Sequence, residues 1–133
     1  MERESPSPLP ARNPTERWVR LAAVCGFLAV ALGAFGAHGL KDHLVRTGAT
    51  EWWQKAVLYH LAHSAVALAC ALVGRTRPVL FFLLGVLFFS GSLYVMSITG
   101  QRWLGAVTPV GGVLFLVGWF SLVLQKAPPA SRS

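Results

Sequence analysis

Apolar residues in this chain come in four long runs rather than in stripes. Residues 21–40, 56–74, 79–98 and 104–124 consist almost wholly of apolar and small side chains. An amphipathic helix of a water-soluble bundle repeats its apolar positions every three to four residues and keeps a polar face. These runs keep no continuous polar face. Each has spanning length, since about 20 residues rising 1.5 Å apiece cover roughly 30 Å of hydrocarbon. The pattern predicts an all-α fold, a four-helix transmembrane bundle within residues 18–124.

The junctions predict how the helices follow one another. Arg75-Thr-Arg-Pro78 and Thr99-Gly-Gln-Arg-Trp103 are short, so the second, third and fourth helices are expected to be antiparallel neighbours. Pro78 falls near a first helical position, where its missing N–H costs least. The link from Lys41 to Lys55 is longer. Its Trp52 and Trp53 suit the headgroup level, and Thr50 offers the second helix an N-cap and an earlier start. Residues 1–17, rich in Pro, Ser, Arg and Glu, read as a disordered tail, and residues 125–133 as a short C-terminal tail. The first apolar run, residues 21–40, exceeds the roughly 7–15 residues of a signal-peptide core, so it reads as a retained span. Glu2, Glu4 and Glu16 argue against an acid-poor mitochondrial leader.

Composition agrees with a lipid setting. Hydrophobic residues make up 54% of the 133 and charged residues 13%, about half the roughly 25% of ordinary soluble domains. From Ala56 to Leu124 the only charges are Arg75, Arg77 and Arg102, all at junctions between runs. The net charge of +7 is spread over tails and loops without forming a basic stripe, so it points to membrane orientation and not to nucleic acid. Arg3, Arg12, Arg17, Arg20, Arg75, Arg77, Lys126 and Arg132 fall on the side of the termini; Lys41, Arg46, Lys55 and Arg102 fall opposite. That bias predicts both termini in the cytoplasm. Cys25 and Cys70 match no metal spacing and read as small buried hydrophobes.

Small residues mark expected helix contacts. Ala22 and Gly26, and Ala29, Gly33 and Ala37, recur at every fourth position of the first run. Gly105 and Gly112, and Gly111 and Gly118, recur at every seventh position of the last. Both spacings let helix backbones approach closely in lipid. Pro109, within Thr108-Pro-Val-Gly-Gly112, cannot donate to the carbonyl of Gly105, so a bend is expected there, with Gly111 and Gly112 against a neighbour.

Chemistry-bearing groups are few. No Asp, Glu, Lys or Arg lies inside a run, which weighs against an ion-coupled transporter and removes the carboxylate pairs of hydrolytic chemistry. Ser64 follows His60 by four residues, yet no strand-turn-helix elbow surrounds it, which weighs against an enzyme without excluding one. His60 and His63 are three apart and share a helix face. His38 near the end of the first helix is expected at a similar depth, so the three imidazoles could gather as a site for zinc, copper or haem. The plainer expectation is hydrogen bonding between helices, with no cofactor.

Gly33-Ala-Phe-Gly-Ala-His-Gly-Leu40, Tyr59-His60 with His63, Phe89-Ser-Gly-Ser-Leu-Tyr94, and Thr108-Pro-Val-Gly-Gly112 with Gly118-Trp119 occur in one order. Taken together, over residues 20–124, they resemble the transmembrane protein 256 family, also called the domain of unknown function 423 family. The resemblance implies a small multi-pass membrane protein of a bacterial inner (plasma) membrane or of eukaryotic membranes, and it supplies no catalytic residues. The expected function is structural, or accessory to a membrane complex. The expected partners are the lipid bilayer and a membrane protein or a second copy of the chain. A small oligomeric transporter or channel, and a histidine-based metal, haem or redox protein, are the competing classes.

Overall fold

A computed structural model describes residues 13–126 as helices joined by short turns. The first span is α1 (Pro14–Ala37), and a short α2 (Lys41–Thr47) leads to the second, α3 (Thr50–Leu72). The third is one continuous rod of α4 (Thr76–Gly85), a π-helical turn (Val86–Ser90) and α5 (Gly91–Thr99). The fourth is a 3-10 turn (Arg102–Ala106) followed by α6 (Thr108–Val123). Four helical spans of 22 to 24 residues are therefore long and apolar enough to cross a bilayer. Of the expected tails, residues 1–12 and 127–133 lie outside the described residues; Asn13 is the N-cap of α1, Pro14 to Arg17 belong to that helix, and Gln125 and Lys126 follow the last one.

Helix ends follow local chemistry. Pro14 opens α1 at a position where no N–H is needed. At the end of α3, Gly74 takes a left-handed φ of 74°, and Arg75 N–H bonds the carbonyl of Cys70 at 2.8 Å, which reverses the chain toward α4. Gly100, at φ 71°, turns α5 toward the fourth span in the same way. α2 was not foreseen in the long link. It is anchored where His43 Nε2 reaches the carbonyl of Ser97 at 3.3 Å.

α3 and the third span form the middle of the bundle. α1 packs on α3, while α6 packs on α4 and the π-turn. Half of the third span is buried, against 17% of the first and 17% of the fourth. One core, at the end nearer the termini, gathers Ala22, Ala67, Val79, Phe82 and Phe115; a second, at the opposite end, gathers Leu44, Trp53, Ala56, Leu93 and Met96.

In α1 close approach occurs at two of the expected positions, Ala22 and Ala29, and at Gly36, which was not among them. Its buried stripe is Ala22, Ala29 and Gly36, recurring at every seventh residue. A Cβ on Gly36 would overlap the Trp53 indole, one on Gly33 would come 3.2 Å from Val57 Cγ1, and one on Gly26 would have ordinary room at 3.8 Å from Ser64 Cβ. In the fourth span the tight pair is Gly111 and Gly118. A Cβ on Gly111 would lie 2.6 Å from Phe89 Cβ and closer still to its backbone nitrogen. One on Gly118 would lie 2.7 Å from Phe82 Cε1, whereas Gly112 has nothing nearer than Phe89 Cδ2 at 3.9 Å. The α4–α6 contact is reciprocal: Phe82 covers Gly118 and Phe115 covers Gly85.

Pro109 does not bend a continuous α-helix. It sits in the first turn of α6, and the residues before it tighten into the 3-10 turn. This places the missing N–H where a helix has no intrahelical acceptor for it. Thr108 hydrogen-bonds instead with Ser92, at 2.8 Å between hydroxyls, tying the start of α6 to α5.

Candidate functional site

Two polar clusters are built into the apolar interior, each around a histidine of α3. In the first, His60 is 5% exposed and joins three spans. Its Nε2 lies 3.3 Å from Cys25 Sγ of α1, and its Nδ1 lies 3.2 Å from the Tyr94 hydroxyl of α5. The Tyr94 ring meets the edge of Trp53 at 4.7 Å, and Trp53 Nε1–H donates to the carbonyl of Leu32 at 3.0 Å. The group thus pins α1, α3 and α5 together. It also lines a cleft of about 380 Å³ between α1 and the third span, walled by Leu28, Leu83 and Leu87.

The second cluster is aromatic. His63 stacks on Phe115 with centroids 3.6 Å apart and planes 12° apart, and Tyr59, Phe82 and Trp119 complete its surroundings. Trp119 Nε1–H donates to His63 Nε2 at 3.2 Å, and His63 Nδ1 lies 2.8 Å from the carbonyl of Tyr59. An indole only donates and a carbonyl only accepts, so His63 is the neutral tautomer protonated on Nδ1. Both of its nitrogens are spent.

Between the clusters runs the π-turn. The N–H of Gly91 reaches back to the carbonyl of Val86, the register that a π-helix adds to an α-helix. Ser90 in this turn donates to the carbonyl of Ala56 on α3 at 2.8 Å. The widened turn receives Gly111 of α6 against Phe89.

The sequence led to the expectation that His38, His60 and His63 gather at similar depth near the non-cytoplasmic end, and the structure separates His38 from the other two. α3 takes the earlier start that the sequence offered, at Thr50, so His60 lies ten residues in, roughly 15 Å from the helix start. The α1 residue at that depth is Cys25. His38 caps the far end of α1 thirteen residues later, roughly 20 Å along the axis, and is exposed. His60 and His63 share α3, but their ring nitrogens take different partners. Among the described residues, no three His, Cys, Asp or Glu side chains gather as metal ligands would.

Cys25, Tyr94, Trp119 and Ser90 were missed as partners. Cys25 in particular reads as a small hydrophobe from its run, yet it is half-buried and faces an imidazole. The seven-residue recurrence noted in the last run would have found Gly36 had it also been sought in the first.

A four-span bundle whose interior polar side chains bond across helices defines a small multi-pass membrane protein. The chain belongs to the family described as "Protein of unknown function (DUF423)", whose model matches residues 32–112. It is 42% identical over 115 residues to a UPF0382 membrane protein of Staphylococcus saprophyticus, covering 80% of this chain and 93% of the relative. It is 40% identical over 116 residues to the UPF0382 membrane protein YwdK of Bacillus subtilis, covering 80% and 93%. It is 42% identical over 107 residues to the UPF0382 inner membrane protein YgdD of Escherichia coli, covering 74% and 79%. No solved structure matches the chain.

Proposed function

We propose that the protein is a structural or accessory component of the bacterial cytoplasmic (inner) membrane, working in association with another membrane protein or with a second copy of itself. The observation that carries this reading is how the histidines are used. His60 and His63 direct their ring nitrogens at groups within the bundle, three of the four contacts being to side chains of other spans. Such contacts hold helices in register. The flanking spans α1 and α6 turn large apolar side chains outward, among them Phe27, Val30, Leu116 and Phe120. In lipid that surface can meet acyl chains or another helix. The inner-membrane setting follows the name of the Escherichia coli relative.

The orientation in this proposal, both termini in the cytoplasm, rests on eight basic residues on the terminal side against four opposite. Chemical cross-linking in native membranes followed by purification in mild detergent tests the functional reading. A stoichiometric partner or a defined homo-oligomer is the expected product. A chain recovered only as a monomer, with no cross-linked species, would overturn it.

A further inference from the structure

We propose that the cleft between α1 and the third span is a binding site for a ring-borne carbonyl compound dissolved in the hydrocarbon, of the prenylated quinone type. The cleft's volume of about 380 Å³ falls in the size range of small-molecule sites. Its walls are apolar, and Cys25, His60 and Tyr94 supply its polar groups.

The hydrogen-bond inventory of those groups leaves one donor over. A neutral imidazole carries a single N–H, a thiol one S–H and a phenol one O–H. Two contacts, to Cys25 and to Tyr94, consume two of the three protons. If Nδ1 is protonated and donates to Tyr94, the phenol O–H is left over. If Nε2 is protonated and donates to Cys25, the thiol S–H has the buried and otherwise unpaired Ser64 Oγ beside it as acceptor. Tyr94 lines the cleft, so the Nδ1-protonated tautomer presents one donor there, the phenol O–H, for which the described residues supply no recorded acceptor, and a ligand carbonyl would select that tautomer. An unmet donor in hydrocarbon is costly, and a ligand carbonyl relieves it.

Depth selects the carbonyl. His60 lies roughly 15 Å from the start of α3 and roughly 18 Å from its end, near the middle of the span. Ester carbonyls of phospholipids stay at the edges of a hydrocarbon core about 30 Å thick. A carbonyl that reaches the middle belongs to a molecule wholly dissolved in the acyl region, which prenylated quinones are and phospholipids are not. Val86 and Leu87 of the π-turn, together with Gly91 just after it, line the same cleft, and π-turns are frequent at functional sites.

The full chain in lipid nanodiscs, titrated with radiolabelled 2,3-dimethoxy-5-methyl-6-decyl-1,4-benzoquinone against empty discs, tests the proposal. A saturable excess of one quinone per chain is expected. Gly91→Leu should abolish it without unfolding the protein, because a Cβ there meets nothing nearer than the Val86 carbonyl oxygen at 4.0 Å and the added side chain enters the cleft. Tyr94→Phe, which keeps the ring and removes only the hydroxyl, should weaken binding by about tenfold, as expected for one lost hydrogen bond. Unlabelled decylbenzene, equally apolar but without a carbonyl, should not displace the quinone. No excess over empty discs, an excess that Gly91→Leu leaves intact, or equal displacement by decylbenzene would each overturn the proposal.

Discussion

Adding one methyl group at either of two adjacent glycines of α6 should have opposite consequences. In Gly111→Ala the new Cβ lands on the Phe89 backbone nitrogen and 2.6 Å from Phe89 Cβ. Backbone cannot rotate away as a side-chain tip can, so α6 or the π-turn must move. That movement disturbs the Ser90 bond to Ala56 and the Ser92 bond to Thr108, which flank the contact. Forced overpacking of this kind costs about 1–3 kcal/mol. In Gly112→Ala the nearest atom is Phe89 Cδ2 at 3.9 Å, an ordinary contact. There the gain in helix propensity, up to about 1 kcal/mol in a soluble helix, stands without a steric penalty. Reversible unfolding of the two variants in the same detergent, followed by circular dichroism, measures the difference. Gly111→Ala should be the less stable by about 1–3 kcal/mol. If Gly112→Ala is destabilised as much or more, the α6–π-turn contact described above is wrong.

Other perturbations separate the remaining contacts. Trp119→Phe keeps an aromatic ring, smaller than the indole, and leaves His63 Nε2 without a donor, so a loss of at least about 1 kcal/mol is expected in the same unfolding assay; an unchanged midpoint would mean that the indole bond carries no stability. Gly36→Leu should expel the Trp53 indole from its bond to Leu32, seen as a red shift and increased quenching of tryptophan emission. Pro109→Ala should change stability by less than about 0.5 kcal/mol, because the position lies in a first turn where proline is tolerated. A reporter fused after Gln125 should be active only as a cytoplasmic reporter; activity restricted to the opposite side would refute the orientation.

The number, length and type of the spanning elements were legible along the chain because lipid imposes them residue by residue. Backbone groups in hydrocarbon must bond internally, so an apolar run of this length has to be helical whatever it touches. The heptad pair Gly111 and Gly118 was legible for the same reason, since periodicity is a property of one helix. What no single run contains is register. The depth at which α1 meets α3 depends on how the link folds, and it folds with an extra helix, α2, ahead of the second span. The resulting register sets His60 away from His38 and opposite Cys25. The π-turn and the withdrawal of Pro109 to the first turn of α6 are likewise settlements between neighbouring helices, reached where Gly111 enters beside Phe89. The sequence by itself determined that the chain crosses a membrane as four helices, because that follows from the solvent. Only the tertiary structure decided which polar groups meet inside, because a hydrogen bond between spans depends on ångström-scale placement of two helices that neither specifies alone.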